Sequence, residues 1–262
     1  MIDILISAFL LSIVLLGIHA YFGLEIIRRG IIFTDLAVGQ MAALGAAISI
    51  LLTDGEFLYP ISLSFALLGG ILIAFASQRT KYVEAFIGLL YAFGFSAVFI
   101  ILSRSAHGME EFQKLMASDI LYTPFDEILK TAIIYSILGL IIWIFNKKTT
   151  GFIKDVLFFL TFAITVTSSV KVAGVLIVFA ILVSPALISL HLVRKNYLFF
   201  AWIIGTILNL VAIIASYKFD FPTGYTIVAL NAFAAILVII VTERLKIIFN
   251  VKNKHKDKNE KT

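Results

Sequence analysis

Asp35 and Gln40 are the polar side chains best placed to do chemistry within the long apolar stretches of this sequence. Both carry oxygens that can bind cations, and an ionisable group in apolar surroundings is costly and usually marks function. The two residues are five apart, which places them roughly 140° apart around a helix, so they cannot hold one ion from a single helix face. Asp35 either pairs with Arg28 or Arg29 or lines a binding path, and Gln40 either makes an interhelical hydrogen bond or joins that path.

Other reactive groups are scarce along the chain. Cysteine is absent, which excludes a thiolate metal site and a cysteine nucleophile. No phosphate-binding loop of the G-x-x-x-x-G-K-S/T type occurs. No two histidines have the spacing of metal ligands, the four being His19, His107, His191 and His255. We therefore predict that the chain is not an enzyme and binds no cofactor. If ATP drives transport by this chain, we predict that a separate subunit binds the ATP.

The composition predicts a membrane protein. Of 262 residues, 61% are hydrophobic and 14% are charged, and the mean hydropathy is +1.06. A soluble domain is about half apolar and about a quarter charged. These values exclude a soluble enzyme, a disordered chain and a coiled coil.

About nine apolar stretches are long enough to approach the roughly 20 residues that a membrane-spanning helix needs. They are continuous rather than alternating, which excludes β-barrel strands. The predicted fold is therefore an all-α polytopic membrane protein with about nine transmembrane helices. The stretches are Ile4 to Ile26, Ile31 to Leu52, Leu58 to Ser77, Val83 to Ser103, Ile128 to Phe145, Val156 to Val170, Val172 to Val193, Leu198 to Ser216 and Thr226 to Val241.

The distribution of Lys and Arg predicts the orientation. With the N-terminus outside and the C-terminus inside, 16 of the 21 basic residues fall in cytoplasmic segments. This bias also accounts for the net charge of +5 without a nucleic-acid partner. Residues 1–250 are predicted to form the transmembrane domain and residues 251–262 a basic, disordered cytoplasmic tail. Binding of lipid headgroups or of a partner by this tail is the alternative.

Small residues spaced four apart predict close packing of helices. They occur on three stretches, as Gly39, Ala43 and Ala47, as Gly88, Ala92 and Ser96, and as Ala180 and Ser184. Pro185 lies inside the seventh stretch, where it removes a backbone hydrogen bond and is predicted to kink the helix. Such a kink serves either a transport pathway or packing alone.

Three segments carry motifs in a fixed order along the chain. In the first, residues 28–45, two bases, an aromatic residue and an acid precede a helix of small residues. The second is Ser118-Asp119-Ile-Leu121, followed by Pro124 and Asp126, and the third is residues 170–186, with Lys171, Gly174 and Pro185-Ala186. Together they resemble the membrane permease subunits of ABC importers for zinc, manganese and iron. A weaker similarity is Asp220-Phe-Pro222-Thr-Gly224.

The resemblance implies a permease domain in the inner or plasma membrane that acts as a dimer, which we expect to be a homodimer. It implies a pair of cytoplasmic ATPase subunits and an extracytoplasmic solute-binding protein as partners. The ion would pass between the two permease chains by alternating access. We predict that the substrate pathway is lined by Asp35, Gln40, Tyr91 and Ser96.

The sequence departs from the family at the metal-binding positions. Family members carry an acid and a histidine one turn apart on the second span, whereas here Gln40 takes the histidine's place and Asp35 is one residue out of register. A second histidine of the family would fall near Ala92, beside Tyr91, and it is absent from this sequence. The metal ligands therefore stay unknown.

A second departure concerns coupling to the ATPase. The connection from Asn146 to Lys154 is shorter than the family's, which holds a short docking helix. Lys147, Lys148 and Lys154 either contact the ATPase or act only as positive-inside anchors. If coupling is lost, the chain is an ATP-independent carrier or channel of the same fold, and a non-transporting scaffold is a third possibility.

Overall fold

The computed structural model describes residues 2–104, 110, 120–146 and 148–259. Within this part of the chain the protein consists of helices, and nine of them are long and apolar enough to cross a membrane. The predicted all-α transmembrane fold is thereby confirmed, whereas the orientation stays a prediction. A short 3-10 turn at Ile120–Tyr122 precedes the fifth helix. The helices are α1 (Ile2–Arg29), α2 (Thr34–Thr53), α3 (Leu58–Arg79), α4 (Val83–Leu102), α5 (Phe125–Asn146), α6 (Gly151–Ala173), α7 (Val175–Leu192), α8 (Tyr197–Phe219) and α9 (Thr223–Asn259).

The helices form two bundles. In the first bundle α2 packs on α3 and α4, and α6 packs on α3, while in the second bundle α7 packs on α1, α8 and α9. Helix α5 contacts both bundles, through α1 and α6. Short connections make consecutive helices antiparallel. We call the membrane side that holds the end of α1 and the starts of α2, α4 and α6 the basic side, because Arg28, Arg29 and Lys154 lie there.

Glycines allow some of these helices to touch backbone to backbone. A Cβ on Gly23 of α1 would collide with the Leu182 carbonyl of α7, and one on Gly45 of α2 would lie 2.6 Å from the Ile61 oxygen of α3. Such contacts bring helices together where lipid supplies no hydrophobic driving force. We call each set of small residues spaced four apart a stripe. The stripes that contain Ala43 and Ala180/Ser184 are buried, whereas the stripe on α4 is exposed in a single chain. The stripe on α4 therefore does not pack within the single chain, and close helix packing there stays a prediction.

Helix α6 is longer than the stretch predicted from Val156 to Val170. It begins at Gly151, and Asp155 in its second turn is paired, since it accepts a hydrogen bond of 2.7 Å from Arg29. It ends at Ala173, and Gly174, at φ 83°, forms the turn into α7. A positive φ of this kind is readily adopted only by glycine.

Pro185 lies inside α7, which continues without interruption to Leu192. Its ring faces α8, where a Cβ on Gly205 would lie 3.0 Å from Pro185 Cγ. Pro185 therefore contributes to helix packing, and the kink stays a prediction. The basic end of the chain continues in α9 as far as Asn259, and its separation from the transmembrane domain at residue 250 also stays a prediction.

Candidate functional site

Asp35 is a buried carboxylate in the first turn of α2, on the basic side. Asp35 is 2% exposed, and its Oδ1 atom has no hydrogen-bond partner in the described part of the protein. The pairing with Arg28 or Arg29 considered for it is wrong, because the two arginines pair elsewhere. Arg28 lies 3.4 Å from Glu25, and Arg29 lies 2.7 Å from Asp155.

Glu84, in the first turn of α4, is a second carboxylate near the start of α2. Its Oε1 accepts a hydrogen bond of 3.3 Å from the backbone N–H of Phe33, two residues before Asp35. Its Oε2 is buried without a partner among the described residues. The packing of α2 on α4 therefore places a carboxylate oxygen without a partner at the start of each helix. A buried polar atom of this kind calls for an explanation, such as an ion or water.

Gln40 of α2 lies against Gly94 of α4. A Cβ on Gly94 would lie 3.1 Å from Gln40 Cβ, which is tighter than ordinary van der Waals contact, so a larger residue there would require Gln40 to shift. Gln40 is partly buried, as is Tyr91 on α4, whose ring stacks on Phe95 at 6.1 Å between centroids. Ser96 is exposed on the outer face of α4. The four predicted pathway residues thus lie on one helix pair, with Asp35 buried and Ser96 exposed, and their role stays a prediction.

The predicted ATPase-contact lysines lie at the connection between α5 and α6 on the basic side. Lys147 lies outside the described residues, Lys148 is exposed and Lys154 is partly buried. Helix α5 ends at Asn146 and α6 begins at Gly151, so in the described part of this connection there is no docking helix. The role of these lysines stays a prediction.

Part of the chain matches the model of a known protein family. The model of the ABC 3 transport family matches residues 150–242. The match covers about a third of the chain, and over that stretch the chain is similar to the family. This similarity and the nine apolar helices support an ABC transport permease, a multi-pass protein of the cell membrane.

Two solved structures share the fold of this chain. A chain of "PsaBC from Streptococcus pneumoniae in complex with Fab" superposes with a TM-score of 0.66 at 20% identity, covering 88% of this chain and 89% of that chain. An inward-facing metal-chelate type ABC transporter superposes with a TM-score of 0.63 at 15% identity, covering 90% and 84% of the two chains. Identities this low establish the fold alone. No sequence among curated proteins matches the chain.

The family match and the candidate site lie in different parts of the chain. The match contains α6 to α8 and most of α9, with Lys154 and Pro185 among its residues. Asp35, Gln40 and the α4 residues precede it. The described residues include no group of three His, Cys, Asp or Glu side chains that could hold a metal ion. An ion that meets Asp35 would therefore be held by few side chains.

A second polar cluster, which sequence reasoning missed, lies between α1, α5 and α6. His19 is fully buried, with Nδ1 at 2.7 Å from the Leu15 carbonyl oxygen and Nε2 at 3.1 Å from Ser169 Oγ. The Tyr135 hydroxyl contacts Ser169 and lies 3.0 Å from Ser168 Oγ. Because a carbonyl oxygen only accepts, Nδ1 carries the hydrogen. Both ring nitrogens of His19 are thus occupied, and the cluster joins helices instead of binding metal.

Proposed function

We propose that this permease carries a divalent metal ion across the membrane and that Asp35 contacts the ion in passage. The observation that carries the proposal is the buried Asp35 carboxylate with an oxygen free of partners. Burial of a charge is costly unless it is paired, so a cation arriving at Asp35 would be stabilised there. Carboxylate and amide oxygens are suitable ligands for hard divalent ions.

One of the two similar structures supports this class of cargo. Its title describes a metal-chelate type ABC transporter, and both chains share the fold of this protein. Zinc, manganese and iron are the candidate ions, as the resemblance of the motifs implies. A site with few ligands favours transient contact over tight storage, which suits transport.

We propose that the complete transporter contains two copies of this chain, a pair of cytoplasmic ATPase subunits that bind ATP and an extracytoplasmic solute-binding protein. Support for the second copy is the outer face of α4, where Ala92, Phe93 and Ser96 are exposed in a single chain. A small-residue face of this kind suits contact between helices. The ion would then pass at the seam between two α4 helices.

A second candidate function is ATP-independent transport. It is favoured by the short connection between Asn146 and Gly151, which lacks a docking helix in its described part. Under this alternative the fold and the Asp35 site are kept, and a concentration gradient drives the ion.

Reconstitution into liposomes tests both candidates. The purified chain, with and without the ATPase that copurifies from its native membrane, is assayed for uptake of zinc, manganese and iron. Uptake that requires the ATPase and ATP supports the importer, whereas uptake driven by a gradient alone supports the carrier. Absence of flux for all three ions under both conditions would contradict the proposed metal transport.

A further inference from the structure

A lateral cleft between α1, α5 and α8 has no part in the proposed metal path. Its volume is about 620 Å³, and its walls are mostly apolar. Gly17 of α1 and Gly139 of α5 form part of opposite walls, and a Cβ on either would meet nothing within 4 Å. Trp143 and Trp202, both exposed on the protein surface, also line it. The cleft is therefore an indentation of the face that the protein presents to lipid.

The dimensions of the cleft suit an acyl chain. Its lining on α5 runs from Ala132 to Trp143, which corresponds to about 16 Å along a helix. The volume of about 620 Å³ then gives a mean cross-section of about 40 Å². A helix about 10 Å in diameter has roughly twice that cross-section, so a transmembrane helix of another chain does not fit inside.

At the basic side the cleft adjoins a second, smaller cavity of about 30 Å³. The two cavities share Tyr21 and Ile142, and the smaller one is lined also by Arg29 and Lys154. Arg29 is paired with Asp155, whereas Lys154 makes no ion pair in the described part of the protein. Positive charge thus lies at the end of an apolar cleft, on the side of the membrane where α1 ends.

We propose that this cleft binds one anionic phospholipid of the leaflet on the basic side. An acyl chain lies against Gly17 and Gly139, and the phosphate faces Lys154. Basic pockets between membrane helices bind anionic headgroups by this combination of charge and apolar contact. Aromatic residues such as Tyr21 and Trp143 are typical of the level where chains meet headgroups. The proposal does not depend on the transported ion or on the ATPase.

Native mass spectrometry of the full-length protein tests the proposal directly. The protein is purified in mild detergent, supplied with equal amounts of phosphatidylglycerol and phosphatidylcholine, and its bound lipid is identified and counted. We expect about one tightly held phosphatidylglycerol per chain, in preference to phosphatidylcholine. Absence of a retained lipid, or equal retention of the two lipids, would overturn the proposal.

Filling the cleft should displace the acyl chain. In Gly139→Leu we expect lipid occupancy to fall at least about tenfold, because exclusion of two methylene groups is already worth about that factor. Ser64→Leu is the control, since Ser64 is also exposed but lies on α3, away from the cleft and from the proposed α4 seam. Gly17→Leu fills the cleft from the opposite wall and replaces Gly139→Leu if that variant does not fold. Unchanged lipid occupancy in the filling variants would contradict the proposal. Variants that lose the dimer but keep the lipid would also contradict it.

The charge at the end of the cleft should set the preference for anionic lipid. In Lys154→Gln we expect the preference for phosphatidylglycerol over phosphatidylcholine to fall about fivefold, the usual effect of one basic residue near a membrane surface. Lys195→Gln removes an exposed charge in the connection between α7 and α8, at the same side, and should leave the preference unchanged. Because the assay contains neither metal nor ATPase, its failure is distinct from failure of the transport proposal. Equal effects of the two substitutions would show that only general surface charge matters.

Discussion

Two groups of buried polar side chains in this protein differ in how well their atoms are paired. Between α1, α5 and α6, His19, Tyr135 and Ser169 form hydrogen bonds with one another and with backbone carbonyls. At the starts of α2 and α4, Asp35 and Glu84 each keep one carboxylate oxygen without a partner in the described structure. A paired group stabilises the fold, whereas an unpaired carboxylate oxygen costs stability. The difference agrees with a structural role for the first cluster and with the proposal that Asp35 contacts the transported ion.

A third buried pair clarifies this distinction. Asn209 on α8 and Asn231 on α9 share one hydrogen bond of 3.0 Å, and each leaves one amide atom without a partner. The two remaining atoms are a donor on Asn209 and an acceptor on Asn231, so they complement each other. The free oxygens of Asp35 and Glu84 are both acceptors when the carboxylates are ionised, so they do not complement each other, and a cation, a water molecule or a proton would satisfy them.

Asp35→Asn should have the largest effect on transport. We expect metal uptake to fall at least about a hundredfold, because a carboxylate charge about 4 Å from an ion contributes about 4 kcal/mol at an effective dielectric of 20. The thermal midpoint of unfolding should stay the same or rise, since the substitution removes an unpaired charge. The liposome uptake assay and a thermal melt in detergent measure the two quantities.

Asp54→Asn provides the matched control for that substitution. Asp54 is exposed after α2 at φ 50°, a conformation that Asn adopts well. It should leave uptake and stability unchanged. Equal loss of uptake in both variants would show that the Asp35 effect is not specific.

Gly23→Ala should give the largest loss of stability. Its Cβ would collide with the Leu182 backbone, and overpacking of this kind typically costs about 1–3 kcal/mol. Gly17→Ala, on the same helix with nothing within 4 Å of the new Cβ, should be close to neutral. Thermal melts of the two variants measure the difference, and equal melting temperatures would contradict the close contact between α1 and α7.

Ser169→Ala should weaken the fold without changing transport by the folded protein. It removes the hydroxyl that lies between His19 and Tyr135, and hydrogen bonds between membrane helices contribute about 0.6 kcal/mol on average. A double-mutant cycle with Tyr135→Phe measures the coupling between the two side chains. Loss of uptake without loss of stability would place this cluster on the transport path and remove the contrast with Asp35.

Ser96→Cys should have the smallest effect on stability, within about 0.5 kcal/mol, because the side chain is exposed. The chain has no other cysteine, so oxidation reports only on this position. We expect a crosslinked dimer if α4 lies at the seam between two copies. Ile133→Cys, on the exposed face of α5, is the control and should not crosslink. The opposite pattern would place the seam at α5.

The lengths of the apolar stretches predicted the number and type of the helices, because a helix that crosses a membrane needs about 20 apolar residues. It failed at the start of α6, where Lys154 and Asp155 look like loop residues and Asp155 is in fact paired with Arg29 across 126 residues of sequence. Pairing between distant helices is invisible to a window of hydropathy. For the same reason the sequence allowed Arg28 or Arg29 as a partner of Asp35, whereas both have other partners in the structure.

The candidate site was predictable only in part. Asp35 stands out as an acid within an apolar stretch, but the sequence does not show that Glu84 lies beside the start of α2. The His19 cluster had a signal in the hydroxyl residues that recur every four positions at Thr161, Thr165 and Ser169, which places them on one face of α6. The sequence could not show that the small-residue face of α4 is exposed, because small residues occur on exposed and on buried helix faces alike.

Infrared difference spectroscopy tests the central claim, contact between the cargo ion and the Asp35 carboxylate, most directly. Spectra of the reconstituted protein are recorded with and without zinc or manganese, and the carboxylate bands of the native protein are compared with those of Asp35→Asn. Our account predicts a metal-induced carboxylate band that is absent from Asp35→Asn and retained in Asp54→Asn. The same metal-induced band in Asp35→Asn would contradict it.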